Sequence, residues 1–299
     1  MRIGFIGAGK MGFTMGKHFV EKKADVCVVG YYSRNPESAR QAARFTGTKY
    51  YERLEDLVVE CDAVFMTVPD GQIAVLAQML GRLDKSLLEE KILCHTSGAL
   101  SSQVFSGIGS RVYGYSIHPM YAVSSKLESY TKFSDSYITI EGDVRYINYF
   151  KDLYQSLGHK VSVIEADKKV LYHAAAVYAS NLVIALYNKA SGLLMNCGFS
   201  KEEANTALKP LFINNAEKLV NSTPAESLTG PVERCDIETV EKHLAVLQDD
   251  NREIYTLLSR ELISVALEKH NQAAEQQCVN NQILNNQEIN YEKLRKLLK

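Results

Sequence analysis

The chain opens with Met1-Arg2-Ile3-Gly4-Phe5-Ile6-Gly7-Ala8-Gly9-Lys10-Met11-Gly12, an apolar run that leads directly into a Gly-x-Gly-x-x-Gly turn. The run predicts a buried strand, and the residues after the turn predict a helix over about 10–22. The first glycine permits the tight turn, the second lets a pyrophosphate approach the backbone, and the third lets the helix pack closely on the sheet. Unpaired N–H groups at a helix start attract phosphate. The stretch therefore predicts a dinucleotide-phosphate cradle, formed by Gly7, Ala8, Gly9, Lys10, Met11 and Gly12.

Strand-like and helix-like segments alternate as far as about residue 165. Short apolar stretches predict further strands near 26–29, 63–68, 91–95, 112–117, 137–141 and 160–164. The segments between them predict helices near 36–45, 71–80 and 148–157. Such alternation is typical of a mostly parallel sheet with helices on both faces, in which ligands bind at the carboxyl ends of the strands.

Beyond residue 167 the pattern is helical throughout. Residues 167–197 form a nearly continuous apolar helical stretch, and Ser200-x-x-Glu203 predicts a capping box that opens the next helix. A further long helix is predicted over 251–270. We therefore expect an α/β, Rossmann-type dinucleotide-binding domain over 1–165. An all-α domain for substrate binding and dimerisation, built on a long central helix, should follow over 166–299.

The composition narrows the class of protein. The 299 residues carry a formal net charge of −1, which gives no electrostatic reason to expect nucleic acid or an anionic membrane as a partner. The six cysteines are scattered without a C-x-x-C pair, as in a reducing cytosol, and predict no metal site. The first strand begins at Arg2, which leaves no room for a signal peptide, and no apolar run reads as an uninterrupted membrane span. We therefore expect a cytoplasmic protein with a small-molecule substrate.

The end of the second strand predicts which dinucleotide binds. An NAD site usually has a carboxylate there for the ribose 2′-hydroxyl, whereas this chain has Ser33, Arg34 and Asn35. A guanidinium suits a 2′-phosphate, and the hydroxyl and the amide supply further hydrogen bonds. We therefore predict NADP(H). The alternative is that Arg34 is an ordinary surface charge.

A second turn is expected beside the cofactor. Val68, Pro69 and Asp70 follow the third core strand, where such turns commonly lie near the ribose and nicotinamide, and Thr96 follows the next strand. We assign all four residues to the cofactor site. The Asp70 side chain also suits the role of a helix N-cap, and we favour that role for it.

Reactive side chains follow two further strands. Ser97 and His118 lie where a sheet of this kind exposes its ligand crevice. Reduction of a carbonyl or imine needs a proton donor, for which histidine is suited near neutral pH, and a serine hydroxyl can hold the carbonyl oxygen or the nicotinamide amide. His118 with Ser97 is the leading catalytic pair. His118 is alternatively a structural residue of the turn before Pro119, and we interpret His95 as structural.

The apolar helical stretch adds two polar candidates. His173 and Asn181 are eight residues apart and so share one helix face. Asn181 is a candidate to bind substrate and His173 to donate a proton, although His173 is equally well explained as a hydrogen-bonded core histidine. His18 and His159 are expected at the surface.

A distinctive loop, Leu228-Thr229-Gly230-Pro231-Val232-Glu233-Arg234-Cys235-Asp236, lies between helices of the second half. Arg234 offers a cation for a carboxylate, and we assign Thr229 and Arg234 to substrate binding. The alternative is a structural turn between helices with a solvated Arg234.

These motifs resemble the β-hydroxyacid-dehydrogenase-like superfamily. The opening glycine motif is similar to that of pyrroline-5-carboxylate reductases and of deazaflavin-dependent NADP reductases, and Ser33-Arg34-Asn35 is similar to their NADP-selecting turn. His118-Pro119-Met120 resembles the motif that carries the catalytic histidine of prephenate and arogenate dehydrogenases. His95–Ser101, His173 with Asn181, and Leu228–Pro231 together resemble a little-characterised bacterial family of predicted NADP oxidoreductases.

The resemblance also shows a departure. Ketopantoate reductases and hydroxyisobutyrate dehydrogenases carry a catalytic lysine one turn before an asparagine of the long helix, where this chain has Val177. Lys168 and Lys169 lie more than three turns before that asparagine. The lysine-based machinery of those enzymes is therefore absent from its usual position.

The resemblance implies an NADP(H)-dependent oxidoreductase. We expect it to transfer a hydride to or from a small carboxylate-bearing carbonyl, imine or alcohol, for example a 2-keto acid such as ketopantoate. Alternative substrates are cyclic imines of the pyrroline-5-carboxylate type and prephenate-like compounds. The resemblance further implies a homodimer that packs through its helical domains. The alternative class is a non-catalytic NADP(H)-sensing protein, which would not need to aim His118 and Ser97 at the nicotinamide.

Overall fold

A computed structural model describes residues 1–109, 111–277 and 290–299. The chain forms two compact units, Met1–Ser180 and Asn181–Lys299. The first contains a sheet with helices, and the described part of the second is helical. This arrangement confirms the predicted fold class.

The first unit is organised around one eight-stranded sheet with the order β3-β2-β1-β4-β5-β6-β7-β8. Neighbouring strands run parallel except β6 and β7, which are antiparallel. The strands are β1 (Arg2–Ile6), β2 (Cys27–Tyr32), β3 (Lys49–Tyr50), β4 (Ala63–Met66), β5 (Ile92–His95), β6 (Tyr113–Met120), β7 (Tyr137–Gly142) and β8 (Lys160–Val163). Because β1, β2, β4, β5 and β6 are all parallel, their carboxyl ends lie along one edge of the sheet.

Helices connect these strands and fill the second unit. The first unit has α1 (Lys10–Glu21), α2 (Pro36–Thr46), α3 (Leu54–Glu60), α4 (Asp70–Leu80), α5 (Lys85–Leu88), α6 (Val144–Ser156) and α7 (Lys169–Ala179). Three 3-10 helices cover Ser102–Phe105, Ser129–Asp135 and Ala166–Lys168. The second unit has α8 (Asn181–Asn196), α9 (Lys201–Asn221), α10 (Pro224–Ser227), α11 (Ile237–Val246) and α12 (Asp249–Gln277), and residues 290–297 are also helical. The predicted capping box of Ser200 and Glu203 is present at the start of α9.

The central strands pack against a core on each face of the sheet, since successive strand side chains point to opposite faces. In β4, Ala63 and Phe65 join one cluster with residues of α1 and α6, whereas Val64 and Met66 join the other with residues of α3 and α4. All four side chains are fully buried. Burial on both faces explains why this strand reads as a continuous apolar run rather than an alternating one.

The glycines of the first turn are required by close backbone contacts. Gly7 has φ +107°, and a Cβ there would lie 2.6 Å from the carbonyl oxygen of Thr67. A Cβ on Gly12 would lie 2.5 Å from the carbonyl oxygen of Gly7. Gly9 precedes α1 without a side-chain cap, so the first-turn N–H groups of α1 are not satisfied by a capping side chain. The turn has the local geometry predicted for a phosphate cradle.

The long apolar helical stretch differs from its prediction. It consists of α7 and α8, which are separated at Ser180, where φ is −127° and ψ is −79°. The hydroxyl of Ser180 donates to the carbonyl of Ala176 at 2.7 Å, a local bond that competes with the helical pattern. The separation coincides with the boundary between the two units, so α7 belongs to the first unit.

This same stretch also bears on the membrane expectation. Residues 166–196 are long and apolar enough to pass for a membrane span by length and composition, with a mean hydropathy of 1.5, contrary to the expectation from sequence. The core helix of a soluble protein meets the same criterion, so this property alone does not indicate a membrane protein.

His18 and His159 are buried together, so their expected surface position is wrong. Their Nε2 atoms lie 3.0 Å apart, and Nδ1 of His159 lies 3.0 Å from the hydroxyl of Ser136. Burial, reinforced by His159 and Lys22, lowers the pKa of His18 to about 4. No periodic pattern along the chain indicates this pair, because its members are 141 residues apart.

This pair predicts acid sensitivity of the fold. The pKa of His18 in the folded state lies below its ordinary value of 6.5, so the unfolded chain binds more protons between those pH values. Stability is therefore fully present above about pH 6.5 and is lost as the pH falls toward 4. We expect this pair alone to lower the free energy of unfolding by roughly 1–3 kcal/mol between about pH 7.5 and about pH 5, in addition to the losses from the buried His95 and His118.

Urea unfolding at the two pH values measures this loss, and His18→Gln should reduce it. His243→Gln, in the second unit, is the control variant and should leave the loss unchanged. An equal loss of stability in His18→Gln and in the unsubstituted protein would contradict the conclusion that protonation of His18 destabilises the fold.

Candidate active site

A cleft of about 350 Å³ lies over the glycine turn at the carboxyl ends of the first strands. Seven of the predicted cofactor residues line it, namely Gly7, Ala8, Gly9, Ser33, Arg34, Val68 and Pro69. Lys10, Met11 and Gly12 form the start of α1 directly after the turn. The side chain of Asn35 accepts a hydrogen bond from the N–H of Glu37 and so caps α2.

The charges at this cleft fit a phosphorylated ribose. The residues that line the cleft include Arg34 and Lys126 and no carboxylate. Arg34 is exposed and forms no ion pair with the residues that the structure describes. Lys126, which the sequence reasoning did not identify, comes from the segment after β6, and its Nζ lies 5.1 Å from the ring centroid of Phe13. Two cations with no opposing carboxylate suit NADP(H) better than NAD(H).

Asp70 does not cap α4, so the role favoured for its side chain is wrong. The N-cap position is occupied by Pro69 without a side-chain hydrogen bond. Instead, the hydroxyl of Ser97 donates to Oδ2 of Asp70 at 2.6 Å and accepts from the N–H groups of Ala99 and Leu100 at 3.2 and 3.0 Å. These bonds tie the turns after β4 and β5 together, and they engage the hydroxyl proposed for substrate contact.

His95 is held within the same turn. Its Nε2 lies 3.2 Å from the carbonyl oxygen of Ser101, and its Nδ1 accepts the N–H of Ser97 at 3.2 Å. The side chain is fully buried, and burial lowers its pKa to about 4. Both ring nitrogens are used within the protein, as expected for a structural histidine. Thr96 lies between these two residues, at the end of β5.

Ring nitrogens of His118 and His173 both lie close to Gly98. A Cβ on Gly98 would lie 3.0 Å from Nε2 of His118 and 2.5 Å from Nδ1 of His173. The ring centroids of the two imidazoles are 6.2 Å apart. Nδ1 of His173 is buried and has no hydrogen-bond partner among the described residues. The structure thus brings together His118, His173 and the turn that carries Ser97.

Tyr172 and Lys169 also belong to this cluster, although the sequence reasoning missed both. The hydroxyl of Tyr172 lies 2.7 Å from Nδ1 of His118. Lys169 is only 1% exposed, and its ammonium donates to the carbonyl oxygen of Ser97 at 3.1 Å and to the hydroxyl of Ser116 at 2.7 Å. The signal in the sequence was the i, i+3, i+4 spacing of Lys169, Tyr172 and His173 on one helix face.

The electrostatics of this cluster differ from the expectation for an ordinary histidine. Burial, with the nearby charges of Lys169 and His173, lowers the pKa of His118 to about 4, while Asp70 acts in the opposite direction. Burial likewise lowers the pKa of Lys169 to about 8, against the influence of Glu141 and Asp70. At neutral pH His118 is therefore a neutral imidazole, with one nitrogen donating and the other accepting.

The remaining predicted site residues belong to the second unit. Asn181 is the first residue of α8, and Thr229 and Arg234 are exposed in the loop before α11. That loop is held by the ion pair of Lys269 with Glu233 at 3.1 Å and by a hydrogen bond from Lys269 to the carbonyl of Leu228. The substrate roles of Asn181, Thr229 and Arg234 stay predictions.

Within the described ranges, no cluster of three or more His, Cys, Asp or Glu side chains could hold a metal ion.

Two family models match the chain. Residues 2–97 match the NADP oxidoreductase, coenzyme F420-dependent family, and residues 136–262 match a domain of unknown function, DUF2520. A curated, uncharacterized 28.5 kDa protein of Methanothermus fervidus is 32% identical over 88 residues. That match spans 29% of this chain and only about a third, 34%, of the relative.

Solved structures extend the likeness over most of the chain. A protein of Thermotoga maritima is 28% identical with a TM-score of 0.71, covering 90% of this chain and 99% of its own. A candidate NADP oxidoreductase of Bacteroides fragilis is 24% identical with a TM-score of 0.65, covering 88% and 98%. A pyrroline-5-carboxylate reductase of Coxiella burnetii shares the fold at 15% identity and a TM-score of 0.55, covering 89% and 97%.

The family match coincides with the glycine turn and the cationic cleft. Residues 2–97 thus form a Rossmann-type domain that is similar to an NADP oxidoreductase family, as predicted. The matched segment holds the cradle and the turn of Ser97, and it leaves the substrate open.

The exposed Arg34 predicts a measurable preference for the phosphorylated cofactor. Arg34→Ala should weaken NADPH binding roughly tenfold to a hundredfold and leave NADH binding nearly unchanged, because only NADPH carries the 2′-phosphate. Dissociation constants for both cofactors, measured by fluorescence titration, test this. Arg44→Ala, on the exposed face of α2, is the matched control. Equal affinities of the unsubstituted protein for NADPH and NADH would contradict the prediction.

Proposed function

We propose that the protein is a reductase that transfers a hydride from NADPH to a small carbonyl or imine substrate bearing a carboxylate. The observation that carries this proposal is that His118 Nε2 and His173 Nδ1 both lie close to Gly98, in the turn that carries Ser97. Gly98 follows β5 and His118 lies near the end of β6, on the sheet edge that also bears the cofactor cleft. A hydrogen-bond donor placed beside a hydride donor is what reduction of a C=O or C=N group requires.

The residues of the first unit supply binding and proton transfer in this proposal. The cofactor, held by the glycine turn and Arg34, supplies the hydride. His118 donates from Nε2 to the oxygen or nitrogen on which negative charge develops, and His173 supplies a second polar atom at the same point. Ser97 holds the turn and reaches a substrate only by exchanging its bond to Asp70.

The substrate class within this proposal remains that inferred from the sequence. Arg234 and Thr229, with Asn181, stay the candidates from the sequence for binding the substrate carboxylate, because a guanidinium binds a carboxylate with paired hydrogen bonds. We propose 2-keto acids such as ketopantoate first, and cyclic imines of the pyrroline-5-carboxylate type or prephenate-like compounds as alternatives.

We also propose a cytoplasmic location, which accords with the five described cysteines, since these are free thiols.

Turnover of NADPH with a substrate panel tests the reductase proposal. We expect loss of NADPH absorbance with a member of a panel of 2-keto acids, cyclic imines and prephenate. His118→Ala should lower kcat/KM by roughly a hundredfold or more and leave the Kd of NADPH unchanged, since it removes a proton donor and no cofactor contact.

Met120→Ala, at the exposed end of the same strand, is the control and should retain full activity. Tight NADPH binding without turnover by any panel member would overturn the reductase proposal and favour the NADP(H)-sensing alternative.

We also propose that the protein is a homodimer formed through the second unit. Helices α8 and α9 expose large apolar side chains to a degree that is unusual for a free surface. They include Leu182, Ile184, Leu186, Leu193 and Met195 of α8, and Leu211, Phe212, Ile213, Leu219 and Val220 of α9. A second copy of the chain would cover them.

Light scattering tests the dimer directly. We expect a mass of twice the 33.5 kDa chain, and Ile184→Glu should weaken association because it places a charge on the apolar face. Val246→Glu, equally exposed but on α11, is the control. A single 33.5 kDa species at all concentrations would refute the dimer.

A further inference from the structure

We propose that Tyr172 is the second member of a proton relay that runs through His118, and that Lys169 positions this relay electrostatically. The inference rests on the proposed reductase function and adds the source of the proton. It starts from one property of the site: His118 is half-buried beside a buried ammonium and a second imidazole. A neutral imidazole can release its proton only if its other nitrogen gains one.

Tyr172 is placed to supply that proton. Its hydroxyl lies 2.7 Å from Nδ1 of His118, and the two rings are almost perpendicular, at 86° with centroids 5.5 Å apart. Burial raises the pKa of Tyr172, so the phenol keeps its proton at neutral pH and donates to Nδ1. Donation to Nδ1 fixes the tautomer with the proton on Nε2, which is the nitrogen that lies near Gly98.

The proton steps balance with one proton taken from solvent. As the hydride of NADPH adds to the carbon of the substrate C=O group, the oxygen takes the proton from Nε2 of His118. Nδ1 then takes the proton of Tyr172, so the imidazole remains neutral. The imidazole then carries its proton on Nδ1, and the starting state returns when Nε2 takes a proton from solvent and Nδ1 gives its proton back to the phenolate. The net change is C=O plus NADPH plus one solvent proton to CH–OH plus NADP⁺.

Lys169 provides the charge that this transfer needs. Its Nζ lies 5.4 Å from the ring centroid of Tyr172, so the ammonium favours the phenolate and disfavours a protonated His118. The carboxylates that face it are already engaged: Asp70 accepts from Ser97, and Glu141 accepts from the N–H and hydroxyl of Ser102 at 2.7 Å each. The other titratable groups that act on His118 are His95 and His173. The ammonium is therefore surrounded by dipoles and imidazoles rather than neutralised by an ion pair.

One helix sets this geometry. Lys169 and Tyr172 are three residues apart on α7, so both project from the same face onto β6. Neighbouring residues supply matched controls, because Lys168 is exposed and pairs with Asp167, and Tyr178 is exposed further along the helix. Substitutions at these control positions show what a change on this helix does when Lys169 and Tyr172 are kept.

The test is nitrogen NMR of the histidine rings in the cofactor-free full-length protein, with His118 assigned by comparison with His118→Gln. We expect His118 to carry its proton on Nε2 across neutral pH. Tyr172→Phe should abolish this single-tautomer state, and Lys169→Met should move the titration midpoint of His118 upward by about one pH unit. Lys169→Arg should restore it, and Lys168→Met and Tyr178→Phe should behave like the unsubstituted protein.

A proton on Nδ1 of His118 in the unsubstituted protein would overturn the relay and requires no variant to fold. An unchanged tautomer in Tyr172→Phe, or an unchanged midpoint in Lys169→Met, would overturn the corresponding role. Where the panel yields a substrate, Tyr172→Phe should lower kcat about tenfold or more while KM and the Kd of NADPH stay unchanged. Absence of turnover would count against the reductase proposal alone, since the ring nitrogens are measured without substrate.

Discussion

Three backbone segments meet at the first turn of the chain, and their close approach sets where everything else in the first unit lies. The carbonyl oxygen of Gly7 is so near Gly12, and that of Thr67 so near Gly7, that neither glycine leaves room for a Cβ. The hydroxyl of Thr67 closes the arrangement by donating to the carbonyl of Gly7 at 2.9 Å. This contact fixes α1 against β1 and β4. It thereby fixes the cradle relative to the turn after β4 and, through Asp70 and Ser97, relative to the turn after β5.

The buried ammonium of Lys169 connects the turn after β5 to β6. An ammonium inside a protein must find acceptors, because burial of an unsatisfied charge costs far more than a hydrogen bond returns. Lys169 finds them in the carbonyl of Ser97 and the hydroxyl of Ser116, which also donates to that carbonyl at 3.0 Å. The side chain thus joins α7 to two strand ends and at the same time determines the charge that His118 experiences. The same buried side chain therefore both connects these elements and influences the pKa of His118.

The sequence predicted the features that depend on local pattern. The glycine turn, the alternation of strands and helices, the missing carboxylate after β2 and the capping box at Ser200 all follow from residues close together in the chain. The antiparallel pairing of β6 and β7 was not predicted, because it depends on partners that a single strand pattern does not reveal. The contact of His18 with His159, the bond of Ser97 to Asp70 and the position of Lys169 beneath His118 likewise depend on tertiary packing. The resemblance places a catalytic lysine where this chain has Val177, whereas the buried lysine of the described structure is Lys169.

The exposure of the two kinds of site residue has a consequence for how this protein can change over evolutionary time. Arg34 lies on an exposed segment and forms no ion pair with the described residues, so it can be exchanged with little effect on the core. Lys169 is enclosed, and its replacement would remove the donor to the hydroxyl of Ser116 and one of the two donors to the carbonyl of Ser97. A single substitution at Arg34 can therefore change the preference between NADPH and NADH during evolution without disturbing the core. The chemistry at the strand ends can change only together with the packing that surrounds it.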